Sequence, residues 1–434
     1  MNLSRNSIKK LTLFSIFLLF SLHFLKEEYP LYYVALFISY LFAFFILLSE
    51  NISIKKLNIF HYTYLLLLFN LILICFYTIY LYHNIQSYNE WFTLKDILIS
   101  IGRTMLMPTM ALLIFRLYSN IEDLDNTLNF FMIVMIIATF TMTLQQIIGG
   151  QVIFGTWSDS SHRFPGMAPY ASSAGNKVMY ASSVGIAIII AATNNKLNLL
   201  LKALIISLVT VGCFLSMQKA ALINLVLSIG LILVILDRKK SIKLILAIFL
   251  SIIIIGISFP KIAFNAGSLV TNTTGIEIIG NTKHDNIYSP IGKRLLGRLG
   301  LDGRWKIEAN TTKELLFGRA NFGGVGALGF VFDTNLDNPR VLGTTHNQYL
   351  DLYQQGGILL LIIFIIFLLI LQINLVKRWI IEKDNYSKTF FFCNLIFMIN
   401  CLVVNGIIYH PIASFIFWIS VTYMLTPKEK LYGK

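Results

Sequence analysis

Long apolar runs, separated by polar loops, recur from one end of this 434-residue chain to the other. Apolar residues make up 56% of the chain and charged residues only 13%, whereas soluble domains carry about 25% charged residues. This composition excludes an ordinary soluble enzyme and predicts an all-α polytopic membrane protein. The runs predict twelve spans: Leu11–Leu25, Leu31–Leu48, Leu57–Leu81, Ile97–Leu117, Leu128–Ile148, Val178–Ala192, Leu199–Ser216, Ala220–Leu236, Leu244–Phe259, Ile358–Leu375, Phe390–Tyr409 and Ile412–Leu425.

Lysine and arginine are distributed unevenly between alternate loops. The side that holds both termini carries 19 of these residues in its loops and span ends, and the short loops of the other side carry five. Positive charge marks the cytoplasmic side of a membrane protein, so both termini are expected in the cytoplasm and the chain in the inner (plasma) membrane. The net charge of +14 follows from this bias and does not predict nucleic-acid binding.

Two outer loops are long enough to carry function. The larger covers 259–356, between spans nine and ten, and its apolar residues are numerous enough to pack a small helical cap. A smaller periplasmic loop covers 149–177. The chain therefore divides into a bundle of spans one to nine with that smaller loop (1–258), the large periplasmic loop (259–356), and spans ten to twelve with a cytoplasmic C terminus (357–434).

Arginines in these loops are candidates for binding phosphate. Arg298 and Arg304 lie in a basic stretch of the large loop, and Arg163 lies in the smaller one. A guanidinium group matches phosphate oxygens with two parallel hydrogen bonds, so converging arginines beside a membrane suit a lipid-linked diphosphate and its departure as a leaving group. The alternatives are contacts with anionic lipid headgroups and ion pairs with Asp302 and Glu308.

His346 is the candidate general base. Thr344 or Thr345 is predicted to cap a helix that begins around His346 and continues toward the membrane. A helix N-terminus disfavours the protonated imidazole, and a neutral imidazole in a water-accessible pocket can accept a proton from a sugar hydroxyl. The alternative is a structural histidine that bonds a loop carbonyl.

Two further signals are weaker. Lys219 lies beside the outer end of span eight, and its role is left open by the sequence. Asp123 and Asp125 mimic the paired-aspartate metal motif of many sugar transferases, but they fall on the cytoplasmic side, so we interpret them as part of a solvated turn. No histidine, cysteine and carboxylate cluster has the spacing of a metal site, and no metal is expected.

Several of these segments resemble the signature of the O-antigen polymerase and O-antigen ligase superfamily. The resemblance extends over about 160–375 through motifs and over the whole chain through twelve spans with one large outer loop before the late spans. The matching segments are Thr345-His346-Asn347-Gln348-Tyr349-Leu350 followed by Gly356-Gly357, Arg163-Phe164-Pro165-Gly166 with Asn176, Gly303-Arg304-Trp305, and Leu316-Phe317-Gly318 with Gly323.

This resemblance implies a metal-independent, inverting sugar transferase without a cofactor, acting on undecaprenyl-diphosphate-linked donors at the outer membrane face. Carried over by motif, His346 is the base, and Arg163 and Arg304 hold the diphosphate. Asn347 belongs to the same motif as His346 and joins Arg298 and Lys219 as a candidate for substrate binding. Lys219 departs from the pattern, because many members have an arginine there.

The resulting expectation is an O-antigen or capsule repeat-unit polymerase, whose donor and acceptor are both lipid-linked oligosaccharides. Membrane lipids are further expected partners, and the resemblance alone implies a polysaccharide chain-length regulator. Two alternatives stay open. A ligase performs the same donor chemistry but transfers the polymer to lipid A–core. A flippase or another transporter has a similar number of spans but does not require His346 or the arginines.

Overall fold

The structure, a computed structural model, describes residues 5–21, 31–48, 57–84, 93–148, 174–216, 219–258, 312–318, 322–323, 329–332, 341–342, 347–404 and 406–433. Within these ranges the chain is mainly helical. The α-helices are α1 Arg5–Ser21, α2 Leu31–Leu48, α3 Ile59–Asn84, α4 Leu94–Leu117, α5 Ile121–Ile148, α6 Ala174–Thr193, α7 Leu199–Leu215, α8 Lys219–Ile235, α9 Arg238–Ser258, α10 Thr312–Phe317, α11 Gln348–Glu382, α12 Asn385–Cys401, α13 Phe415–Leu425 and α14 Lys428–Tyr432.

The large predicted loop contributes α10 and a small antiparallel sheet. Its strands are β1 Phe322–Gly323, β2 Gly329–Phe332 and β3 Val341–Leu342, with β2 in the middle. Strand β1 lies against α4, and α10 packs on α11, so parts of the loop contact the helical bundle directly. The sequence predicted helix in this loop but not strands.

Four helices are long and apolar enough to cross a membrane, among the residues that the structure describes. These segments are Ile59–Tyr80, Ile121–Leu144, Arg238–Ser258 and Gln348–Glu382. Shorter apolar helices accompany them, such as Leu199–Leu215 and Phe415–Leu425. A helix that crosses the hydrocarbon core upright needs about 20 residues. The helical membrane class is therefore confirmed, and the count of twelve spans stays a prediction.

Helix α9 illustrates how the bundle presents its surfaces. Its buried side includes Ser241 and Ser251, and its exposed side includes Phe249, Ile253 and Ile257, which are 52% to 77% exposed. An apolar stripe of this kind is unfavourable in water, whereas lipid tails solvate it well. The surface of α9 is therefore suited to lipid, while small polar side chains pack inside.

Lysine side chains cap the ends of three helices at one end of the bundle. Lys202 donates to a carbonyl in the last turn of α6 at 2.9 Å, and Lys388 donates to the last carbonyl of α8 at 2.8 Å. Lys430 donates to two carbonyls in the last turn of α4, both at 3.1 Å. These carbonyls lack partners within their own helices and carry the negative end of the helix dipole, so the cations stabilise them. We call this the lysine-rich end.

Ion pairs tie both termini to the lysine-rich end. Near the N terminus, Lys10 lies 3.8 Å from Glu122 at the start of α5. Near the C terminus, Lys428 pairs with Glu382 at the end of α11. The two termini therefore share the end at which the sequence placed both of them. That this end faces the cytoplasm stays a prediction.

Asp123 and Asp125 do not form a solvated turn, and that interpretation was wrong. Both lie in the first two turns of α5, and Asp123 is buried. Asn120 and Asp123 form a reciprocal cap, because each side chain accepts the backbone N–H of the other, at 3.1 and 3.4 Å. Asp125 pairs with Lys196 and raises the pKa of that lysine above its ordinary value.

Asp384 joins three helices at the lysine-rich end. Its carboxylate caps α12 by accepting the backbone N–H groups of Tyr386 at 3.0 Å and Ser387 at 3.3 Å. The same carboxylate accepts the hydroxyl hydrogens of Ser387, Tyr423 and Tyr432. One side chain thus links α12 with α13 and α14.

Asp384→Ala is expected to lower the free energy of unfolding by about 2–3 kcal/mol, since it removes a helix cap and leaves partly buried hydroxyls unpaired. The midpoint of thermal unfolding of the detergent-purified protein measures this change. Glu429→Ala removes an exposed carboxylate at the same end and serves as the matched control, with an expected change within about 0.5 kcal/mol. Equal midpoints for the two variants would contradict the role given to Asp384.

The penultimate predicted span ends earlier than predicted, and the last one begins later. The apolar run Phe390–Tyr409 predicted one span, but α12 ends at Cys401, and α13 begins at Phe415 rather than Ile412. Between them, residues 402–404 and 406–414 are non-helical apart from a 3₁₀ turn, and we call them the broken segment. Gly406 has φ 64°, in the left-handed region, and interrupts the backbone after α12. Proline lacks a backbone N–H and disfavours helix in the residue before it, so Pro411 explains why α13 begins only beyond it.

Candidate functional site

Two of the six predicted site residues lie in the described part of the chain. Lys219 is the first residue of α8, at the end of that helix opposite to the one capped by Lys388. Asn347 immediately precedes α11. The other four fall outside the described residues, and their roles stay predictions: His346, Arg163, Arg298 and Arg304.

Asn347 caps α11. Its side-chain oxygen accepts the backbone N–H groups of Tyr349 at 2.9 Å and Leu350 at 3.3 Å, and its backbone is extended. The prediction that Thr344 or Thr345 caps this helix was wrong, because the cap is Asn347. Asparagine is at least as favourable as threonine at this position. The helix itself is confirmed, and it begins two residues after His346. The proposed contact of Asn347 with substrate stays a prediction.

The start of α11 carries a buried polar face. Its five members lie within an arc of about 120° at 3.6 residues per turn, and each is at most 5% exposed. We call them the polar face: Asn347, Gln348, Asp351, Gln354 and Gln355. Burial of one carboxylate and several amides at the end of an apolar bundle is costly and marks a candidate functional site.

The broken segment is bound to this polar face by two hydrogen bonds. The side-chain oxygen of Gln348 accepts the backbone N–H of Ile408 at 3.3 Å, and that of Gln355 accepts the Tyr409 hydroxyl at 3.0 Å. The indole N–H of Trp418 donates to the carbonyl of Ile408 at 3.0 Å. Non-helical backbone at the depth of a membrane needs such partners inside the protein, and Gln348 and Trp418 supply them for the backbone of Ile408.

His410 lies in the broken segment and is 3% exposed. Its Nδ1 accepts the backbone N–H of Ile412 at 3.3 Å, so the neutral ring carries its proton on Nε2. Its carbonyl accepts the hydroxyl hydrogen of Ser414 at 2.8 Å, which fixes the turn toward α13. The imidazole of His410 is therefore held next to Ile408 and Tyr409, the two residues that bond to the polar face.

A backbone contact joins the large loop to α11. The turn at Gly318 lies so close to the helix that a Cβ on Gly318 would be 2.5 Å from the backbone of Gln355, Gly356 and Gly357. Gly357 has φ 70° and ψ −170°, which interrupts the helix, and a Cβ there would overlap the carbonyl of Leu316. Two segments of the family resemblance, 316–318 and 356–357, are thus brought into contact.

These features share the end of the bundle opposite to the lysine-rich end. Beyond the kink at Gly357, α11 runs to Glu382, which pairs with Lys428, so the kink lies at the other end. The residues before the kink fold back beside the next turns of α11, because the rings of Tyr349 and Phe364 are 6.1 Å apart. Lys219, at the start of α8, lies at that end as well. Within the described ranges, no three histidine, cysteine or carboxylate side chains are close enough to hold a metal ion. The arrangement offers amides and one carboxylate for binding neutral, hydroxyl-rich groups.

Sequence reasoning missed most of the polar face. Gln348, Asp351 and Gln355 follow one another at helical spacing directly before an apolar run, and that spacing was the signal for a buried polar stripe. Tyr409 was the last residue of a predicted span, and His410 lay between that span and the next. Pro411 was the local sign that this region does not continue as a helix.

Comparison with known proteins adds no relative. No family model, no curated protein and no solved structure matches this chain. The superfamily resemblance therefore stands on its quoted motifs, and the function has to be argued from the site.

Proposed function

We propose that the chain is a membrane glycosyltransferase that joins undecaprenyl-diphosphate-linked oligosaccharides, as an O-antigen or capsule repeat-unit polymerase. The observation that supports this most is the buried polar face of α11. Its first member, Asn347, follows His346 in the sequence. Polar groups enclosed at one end of a lipid-facing bundle suit a substrate whose sugar is polar and whose anchor lies in the membrane.

In the proposed reaction, His346 accepts the proton of the acceptor hydroxyl as its oxygen attacks the anomeric carbon of the donor sugar. The new glycosidic bond forms on the face opposite to the leaving group, so the configuration inverts. The bond between the anomeric carbon and the diphosphate breaks, and its electron pair leaves with the diphosphate oxygen. Arg163, Arg304 and Arg298 neutralise that charge, and Lys219 is a further cation for the same group.

The proposed location is the outer face of the inner membrane. The lysine-rich end holds both termini and, under the positive-inside rule, faces the cytoplasm. The polar face of α11 then lies in the periplasmic half of the bundle, on the side where lipid-linked repeat units are presented and no ATP is available. A reaction driven by the diphosphate leaving group needs neither nucleotide nor metal there.

The purified protein in nanodiscs, given lipid-linked repeat units extracted from cells that lack this gene, is expected to form a ladder of longer chains. Treatment with EDTA is expected to leave the rate within about twofold, since the base and the phosphate-binding cations are side chains. Product size on a gel measures both. Loss of the ladder in EDTA and its recovery with Mg²⁺ would contradict the metal-independent mechanism, and absence of any transfer would contradict the proposed function.

The ligase alternative differs only in the acceptor. Addition of lipid A–core to the same reaction distinguishes the two, because a ligase transfers the chain to lipid A–core whereas a polymerase extends the repeat. A transporter forms no glycosidic bond in either reaction.

A further inference from the structure

We infer that the polar face of α11 is the subsite for the acceptor sugar, with the side-chain amides of Gln348 and Gln354 as its hydrogen-bonding groups. This inference rests on the proposed function and deepens it, because it assigns the two substrates to different groups of residues. The acceptor sugar binds to amides, and the donor diphosphate binds to cations.

The first support is the state of the two amides. Gln348 is fully buried, and its oxygen is engaged by the backbone of Ile408, yet its NH₂ group has no hydrogen-bond partner in the described part of the chain. The side-chain oxygen of Gln354, a residue only 4% exposed, likewise has none there. An unpaired buried polar atom costs about 1–3 kcal/mol, so such atoms call for an explanation.

Other unpaired amide atoms in the bundle have a structural explanation. The amide nitrogen of Asn224 donates to Asn400 on a neighbouring helix, that of Asn394 donates to Ser420, and that of Gln372 contacts the sulfur of a methionine. In each of these three residues only the side-chain oxygen lacks a hydrogen-bond partner. The nitrogen of the same amide makes a contact between two helices. Gln348 and Gln354 differ because they leave a donor and an acceptor on one helix face.

The chemistry of this pair fits a sugar. A hydroxyl group both donates and accepts hydrogen bonds, so separate hydroxyls of one oligosaccharide satisfy an amide donor and an amide acceptor that lie about 9 Å apart along the helix axis. The polar face contains no cation, and the carboxylate of Asp351 lies on it between the two glutamines. The binding of a diphosphate calls for cations, which this face does not supply, whereas a neutral sugar ring needs only hydrogen-bonding groups.

The test uses the free repeat-unit oligosaccharide, released from its lipid by mild acid, because it keeps the acceptor hydroxyl but has no diphosphate to lose. Calorimetry with the full-length protein in nanodiscs measures its binding. Gln348→Glu keeps the oxygen that holds Ile408 and removes the NH₂ donor, and Gln354→Met removes the acceptor at similar volume. Each is expected to weaken binding at least tenfold.

Gln372→Met, which lies beyond the kink at Gly357 and outside the polar face, is the matched control and is expected to bind like the wild type. Equal binding by all four proteins, or no binding by the wild type, would overturn the acceptor subsite. If binding depends on the two glutamines but lipid-linked repeats are never joined, the proposed polymerase fails and the sugar site stands. The two hypotheses therefore fail separately.

Discussion

His346→Ala is expected to lower the rate of transfer from lipid-linked donors by about 10²- to 10⁴-fold, the contribution of a positioned general base. The KM for the acceptor is expected to change little, because the imidazole acts on the proton that leaves during the reaction. His346 directly precedes the residue that caps α11, so its loss leaves that cap in place. Initial rates of chain extension by the purified variant measure the effect.

His83→Ala is the matched control for this substitution. His83 lies in the last turn of α3 and is exposed, and its replacement is expected to leave the transfer rate within about twofold. Thermal unfolding of both variants shows whether either change affects folding. A His346→Ala protein that unfolds normally and extends chains at the wild-type rate would rule out this histidine as the base.

Gly357→Ala is expected to abolish the contact between α10 and α11 and to lower the free energy of unfolding by about 3 kcal/mol. At φ 70° and ψ −170° the backbone is in a region that essentially only glycine occupies. A methyl group there would also overlap Leu316 and approach the backbone nitrogen of Phe317 to 2.6 Å. Because the helix bends at this residue, just after the polar face, a loss of transfer activity of at least tenfold is expected as well.

Gly230→Ala provides the comparison, since Gly230 lies within α8 and the structure describes nothing within 4 Å of the position of its Cβ. That variant is expected to be as stable as the wild type or slightly more stable. Thermal unfolding and transfer rates of the two variants are measured side by side. A Gly357→Ala protein with wild-type stability and activity would mean that the kink and the close contact are not required.

The bundle was predictable because its helices coincide with apolar runs. The start of α11 could be placed to within two residues from a cap and a polar-to-apolar transition, although the capping residue proved to be Asn347. The break after Cys401 was not predicted, since Leu402, Val403 and Val404 are as apolar as the helix before them and Pro411 comes only later in the chain. Hydropathy reports the solvent that a segment prefers and not whether its backbone is helical.

The candidate site was only partly predictable for a similar reason. The polar face follows from helical spacing once the start of α11 is known, but the role of Gln348 depends on a backbone group sixty residues away. The contact of segment 316–318 with 356–357 is made between backbone atoms, and glycine is its only trace in the sequence. Long-range pairings of this kind are set by the packing of the whole bundle.

The most direct test of the central claim is the surface-polysaccharide gel pattern of cells that lack this gene, complemented with the wild type or with His346→Ala. We predict that the deletion leaves lipid A–core with a single repeat and that only the wild type restores the ladder. Long polymer that stays on its lipid carrier and never reaches lipid A–core would indicate a ligase instead. An unchanged ladder in the deletion strain would contradict the claim that this chain joins lipid-linked sugars.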